Sequence, residues 1–75
     1  MYNGDVIIHI DATLDDEAIN KLLHDTSQAP GVIDVRINEK ARHLMMVDFD
    51  AKATKPSAIL ETVRKRGLGA ELVGL

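Results

Sequence analysis

Apolar residues recur in this chain with two different periods, and the order in which those periods succeed one another leaves few folds open. In residues 5–10, DVIIHI, they alternate: Val6, Ile8 and Ile10 fall on one face of an extended chain, Ile7 and His9 on the other. In residues 13–28, TLDDEAINKLLHDTSQ, the spacing changes, and Leu14, Ala18, Ile19, Leu22, Leu23 and Thr26 follow a helix. Ala29, Pro30 and Gly31 break that pattern. Alternation returns from Val32 to Asn38, with Ile33, Val35 and Ile37 expected inward and Asp34 and Arg36 outward. A polar NEKAR turn leads to a third strand, HLMMVDFD, whose inward set is Met45, Val47 and Phe49, because the other parity ends in Asp48 and Asp50. A second helix is read from Ile59, Leu60 and Val63, with Thr54 as N-cap, Pro56 close behind it and Gly67 as the stop. AELVGL, carrying Leu72 and Val73, is a short closing strand.

The order β-α-β-β-α-β predicts an α+β fold, the ferredoxin-like open-faced sandwich. Two helices cover one face of a four-stranded antiparallel sheet, in a single domain over residues 1–75. A chain of 75 residues buries only about 60% of its unfolded surface, so a deep catalytic cleft is not expected. With 45% hydrophobic but only 3% aromatic residues, the core has to be built from Val, Ile, Leu and Met, with Phe49 as its aromatic member. The formal charge of −3 argues against a nucleic-acid partner. The basic run Arg64, Lys65, Arg66 falls at a helix end, where cations favour the dipole. No apolar run approaches the ~20 residues of a helical membrane span. The N-terminus also lacks the basic and apolar regions of a secretory signal, so no membrane partner and a cytoplasmic location are expected.

The junction HIDATLDDEA, residues 9–18, concentrates acidic residues where the first strand gives way to the first helix. Thr13 followed by Asp16 resembles a capping box with Asp in place of Glu or Gln, and Asp15, Asp16 and Glu17 put negative charge on the positive end of the helix dipole. Those carboxylates repel phosphate, and the only nearby glycine is Gly4, so no phosphate cradle is expected. Asp11, Asp15 and Asp16 offer oxygens to a hard metal ion, but at no regular calcium-loop spacing. The chain has no cysteine, hence no disulfide, no thiolate nucleophile and no thiolate metal site.

The strand and helix order, the loop after the first strand, GVIDVRI leading into the second strand, VDFD closing the third and ILETVRKRGLGAEL near the end together resemble the heavy-metal-associated domains, copper-chaperone-like and mercury-binding-protein-like, from about Val6 to Val73. The resemblance implies the same sandwich. It also implies, in the loop after the first strand, the family's Met-x-Cys-x-x-Cys, whose thiolates suit Cu(I), Hg(II) or Zn(II). In this sequence Ile10 stands at the Met position, Ala12 at the first Cys and Asp15 at the second. Metal transfer between paired cysteines of two docked domains has no route through these residues. The junction is expected to be a metal loop rebuilt as a helix cap.

Replacement ligands are the alternative. With the first and third strands as neighbours, His9 and Met46 would meet on the outer sheet face and could hold Cu(I) or Ag(I), while Asp11 and Asp16 could serve an acidic-loop site. His43 shares a face with Met45, and His24 is expected to be exposed on the first helix. Ser27 and Ser57 have no His and Asp arrangement, and no buried carboxylate pair stands out, so no enzyme activity is expected. The outer face itself, with Ile7, His9, Leu44, Met46 and Val73 and a polar rim of Asp34 and Arg36, is too apolar for a freely solvated sheet. It is expected to dock a protein partner or a second copy of the chain. The sequence thus predicts a non-catalytic binding, regulatory or docking module, by descent in a metal-handling pathway and without a resident cofactor. A weak metal carrier using His and Met or the acidic loop is the alternative. A small-molecule sensor of the amino-acid-binding βαββαβ type is a third reading, although the ligand-loop glycine it needs after the first strand is absent.

Overall fold

In the computed structural model, which describes residues 3–74, the alternating segments pair as the pattern requires. The order is β1 (Asn3–Ile10), α1 (Asp16–Ser27), β2 (Val32–Asn38), β3 (Ala41–Asp50), α2 (Pro56–Arg64) and β4 (Ala70–Gly74). Leu75, the last residue of the expected closing strand, lies outside the described residues. The sheet runs β2-β3-β1-β4 with every neighbouring pair antiparallel, the ferredoxin-like open-faced sandwich.

The two central strands define the inner face. Val6, Ile8 and Ile10 of β1 and Met45, Val47 and Phe49 of β3 are all buried, and their register sets Ile8 against Met45 and Val6 against Val47. Leu22 of α1 and Ile59, Leu60 and Val63 of α2 close over them in one core, with Ile19 also buried. Each such side chain contributes about 1.5–3 kcal/mol by leaving water, so this layer holds the helices on one side of the sheet. Thr26 is buried as well, and its Oγ1 has no hydrogen-bond partner.

The β2–β3 hairpin turns tightly because the Asn38 side-chain oxygen accepts from the backbone N–H groups of Lys40 and Ala41, at 2.9 and 3.3 Å. Gly67, at φ +83, leads the chain out of α2 after the C-cap Lys65. Both arginines of the basic run at the end of α2 are engaged within the fold: Arg64 Nε donates to the Ala70 carbonyl at 3.0 Å, and Arg66 pairs with Asp25 of α1.

Two expectations fail for local reasons. Ile33 is not inward. The β2–β3 register slips between Val32 and Asp34, so Val32 takes the inward place opposite Phe49 and Ile33 is left 54% exposed. One extra residue in a strand reverses parity on its far side. Thr54 does not cap α2 either: the N-cap is Lys55, which makes no side-chain cap bond, and Pro56 opens the first turn. Pro at that position needs no N–H partner, so the helix starts without a capping side chain.

Candidate functional site

The exit from β1 is fixed by backbone contact with the loop before β4. Asp11 N donates to the Gly69 carbonyl at 2.8 Å, and a Cβ on Gly69 would stand 3.2 Å from Asp11 Cβ and 3.3 Å from its Oδ2. The missing side chain of Gly69 leaves that room for the Asp11 carboxylate. Beyond it, Ala12 and Leu14 pack against the core while Thr13 is exposed. Asp15 is the N-cap, extended at φ −76 and ψ 173, and its carboxylate accepts from Ala18 N at 2.8 Å. The expected Thr13–Asp16 capping box therefore does not form. The helix begins at Asp16, two residues beyond the position that would make Thr13 its cap, and the Asp16 carboxylate pairs with Arg42 of β3 instead.

His9 ends the outer face of β1, opposite Leu44 of β3 and Glu71 of β4. Its Nδ1 lies 2.8 Å from Asp11 Oδ1 and 3.9 Å from Glu71 Oε1, and one donor atom from each of the three residues falls within 4.8 Å of the others. His43 stacks on the His9 ring, with centroids 5.8 Å apart and planes 17° from parallel. The His43 Nδ1 is 3.0 Å from the Ile10 carbonyl. A carbonyl only accepts, so that nitrogen carries the proton and the Nε2 of a neutral ring bears the lone pair.

The expected His9–Met46 meeting is not direct: Met46 faces Ile7, one step along the ladder from His9 and Leu44. Nor does His43 follow Met45 inward, since its ring lies on that of the outer-facing His9. The described β1–β3 pairing ends at His9 and Leu44, and the Ile10 carbonyl rather than the pleat positions the ring beyond it. Nothing in the sequence pattern by itself marks Glu71. Its signal is a shared parity with His9, visible only once β4 is placed beside β1. His24 is exposed, and Ser27 Oγ donates to the His24 backbone carbonyl at 2.6 Å, so neither joins a nucleophile array.

Across the rest of the outer face the residues form rows. Asp34, Asp48 and Asp5 lie side by side on three strands, and the next row is Arg36, Met46 and Ile7. Arg36 approaches Asp34 at 3.5 Å and Asp48 at 3.9 Å. Hydrogen bonding to Asp5, then burial, then the negative charge of Asp5 push the Asp48 carboxyl above its usual range, and Arg36 draws it part of the way back. Ile7, Leu44 and Met46 form a half-buried apolar band beside this row, and Val73 stands 54% exposed at the break in the β1–β4 register.

No family model and no curated protein matches the sequence. Solved structures do match. The Cu(I)-loaded N-terminal domain of a potential copper-translocating P-type ATPase from Bacillus subtilis has a TM-score of 0.83 and 20% identity, over 97% of this chain and 90% of that one. Oxidized MerP from Ralstonia metallidurans CH34 gives 0.82 and 15%, over 95% and 97%. The apo copper chaperone of Enterococcus hirae gives 0.79 and 16%, over 91% and 98%. This is the heavy-metal-associated fold.

At these identities the likeness is one of fold, and the loop has to be judged on its own residues. At the three positions where the heavy-metal-associated motif would place sulfur, Ile10 is buried in the core, Ala12 packs against it and Asp15 caps α1. None offers a soft donor, and the one carboxylate among them is engaged by backbone N–H. A soft metal ion does not fit this loop.

Proposed function

We propose that this chain is a non-catalytic docking module of a metal-handling system, and that its outer sheet face receives a protein partner bearing basic groups beside an apolar centre. The observation that carries this reading is the row Asp5, Asp48 and Asp34, three carboxylates of which Arg36 of the next row approaches two, beside the apolar band of Ile7, Leu44 and Met46. The helices pack on the opposite face, so among the described residues no element covers this surface. Partner lysines or arginines would relieve the crowded carboxylates while the band leaves water, giving attraction and burial together. A second copy of the chain would bring a second acidic row and is the poorer match. Metal handling is supported by structures that share the fold: a copper-binding domain of a P-type ATPase, a copper chaperone and a domain of a potential copper-translocating P-type ATPase.

A photoreactive residue at Met46, crosslinked in extract of the cells that make the protein, identifies the partner for a direct binding measurement. The purified partner should bind Leu44→Asp at least tenfold more weakly than wild type and lose affinity as salt rises. Lys21→Ala, on the exposed side of α1, should bind as wild type. Equal binding by Leu44→Asp overturns the docking reading. Concentration-dependent dimerisation that Leu44→Asp abolishes would replace the basic partner by a second copy.

A further inference from the structure

We infer that His9, Asp11 and Glu71 form a binding site for a borderline divalent cation of the zinc type at the edge of the sheet, using none of the three positions Ile10, Ala12 and Asp15 where the fold's sulfur ligands would stand. The three donors come from the end of β1, the residue after it and β4. They converge because the register sets His9 opposite Glu71 and because the Asp11 N to Gly69 carbonyl bond turns the chain toward β4.

The distances suit a metal. Zinc bonds of about 2.0–2.2 Å set neighbouring donors roughly 3.4 Å apart in a tetrahedron. His9 Nδ1 stands 2.8 Å from Asp11 and 3.9 Å from Glu71, which brackets that spacing, and no pair of donors exceeds 4.8 Å. The Glu71 side chain is 61% exposed and free to rotate into place.

The charges point the same way. A His9–Asp11 hydrogen bond accounts for the shortest contact, but not for a second carboxylate within 4.8 Å of the first. Among the described residues neither Asp11 nor Glu71 forms an ion pair with Lys or Arg, whereas Asp16, Asp25 and Asp34 each have an arginine. A dication would take the place of the Nδ1 proton and neutralise both carboxylates. Imidazole and carboxylate without sulfur select Zn(II), Ni(II) or Co(II) over Cu(I), and three protein ligands leave a position for water. His43, stacked on His9 and tethered to the Ile10 carbonyl, is a positioning residue that holds the imidazole in line.

The test is a titration of untagged, metal-free protein with Zn(II), followed by amide-resolved NMR and calorimetry. Saturation at one equivalent is expected, with the largest shifts at His9, Asp11, His43 and Glu71. Glu71→Gln and His9→Gln should each weaken binding at least about tenfold. Asp16→Asn should bind as wild type. Metal-free Glu71→Gln should melt as wild type does, because the Glu71 side chain is solvent-exposed. No saturable response, shifts centred on His24 or on residues 15–17, or undiminished binding by Glu71→Gln would overturn the site. His9 borders both surfaces, but the docking reading rests on Leu44 and the acidic row and not on Asp11 or Glu71, so Glu71→Gln tests this site alone.

Discussion

Acidic residues gather at both ends of the sheet, and the two ends treat them in opposite ways. Where β1 passes into α1, Asp15 accepts from Ala18 N, Asp16 pairs with Arg42 and Asp11 bonds His9, so each carboxylate has a partner of its own. Toward the start of β1, Asp5, Asp48 and Asp34 lie in one row in which Arg36 approaches Asp34 and Asp48 but not Asp5, and the Asp48 carboxyl is pushed above its usual range. The first arrangement consolidates the fold. The second leaves carboxylates crowded on a face that, among the described residues, no element covers.

Removing an acid should therefore destabilise one end and stabilise the other. The largest effect is expected from Asp15→Ala, which deletes the α1 cap bond and should cost about 1 kcal/mol in denaturant unfolding. Asp16→Asn breaks an exposed ion pair with Arg42 and should cost about 0.5 kcal/mol or less, an effect that salt erases. Asp48→Asn should act in the other direction. The folded chain holds the Asp48 proton more tightly than the unfolded chain does, so the stability from that proton is complete at low pH and is lost as pH rises through the raised folded value. At neutral pH the substitution should raise the melting temperature slightly. Near pH 3, where the wild-type carboxyl is itself mostly protonated, the gain should vanish. Thr13→Ala should change stability by less than about 0.5 kcal/mol, because Thr13 is exposed and precedes the cap. A cost of about 1 kcal/mol at Thr13 and none at Asp15 would reverse the assignment.

Most of the architecture is legible in the sequence wherever a strict period meets a buried face. β1 from Val6 and β3 from Leu44 alternate without interruption because both are central strands with one covered side, and both helices carry stripes facing that layer. Legibility fails where the outcome depends on an offset of one or two residues. Ile33 and Val32 exchange places through a slip that no periodicity marks. Thr13 and Asp15 are both competent caps two positions apart, and the start of the helix chooses between them. The site at the sheet edge was half legible: His9 and Asp11 stand out as polar residues at a strand end, whereas Glu71 acquires meaning only from strand order and His43 only from its bond to a backbone carbonyl. Contacts between residues distant in sequence need the register, and the register is a property of the folded sheet.

The chain has the heavy-metal-associated fold, and at its β1–α1 junction a helix cap stands where soft-metal ligands would be, with no soft donor for Cu(I). An anaerobic, amide-resolved NMR titration with Cu(I) tests it most directly. The amides of residues 10–17 should stay in place, and the Asp15 cap bond should persist throughout. Saturable shifts centred on Ile10, Ala12 and Asp15, with loss of the Ala18 amide's bonded position, would contradict it.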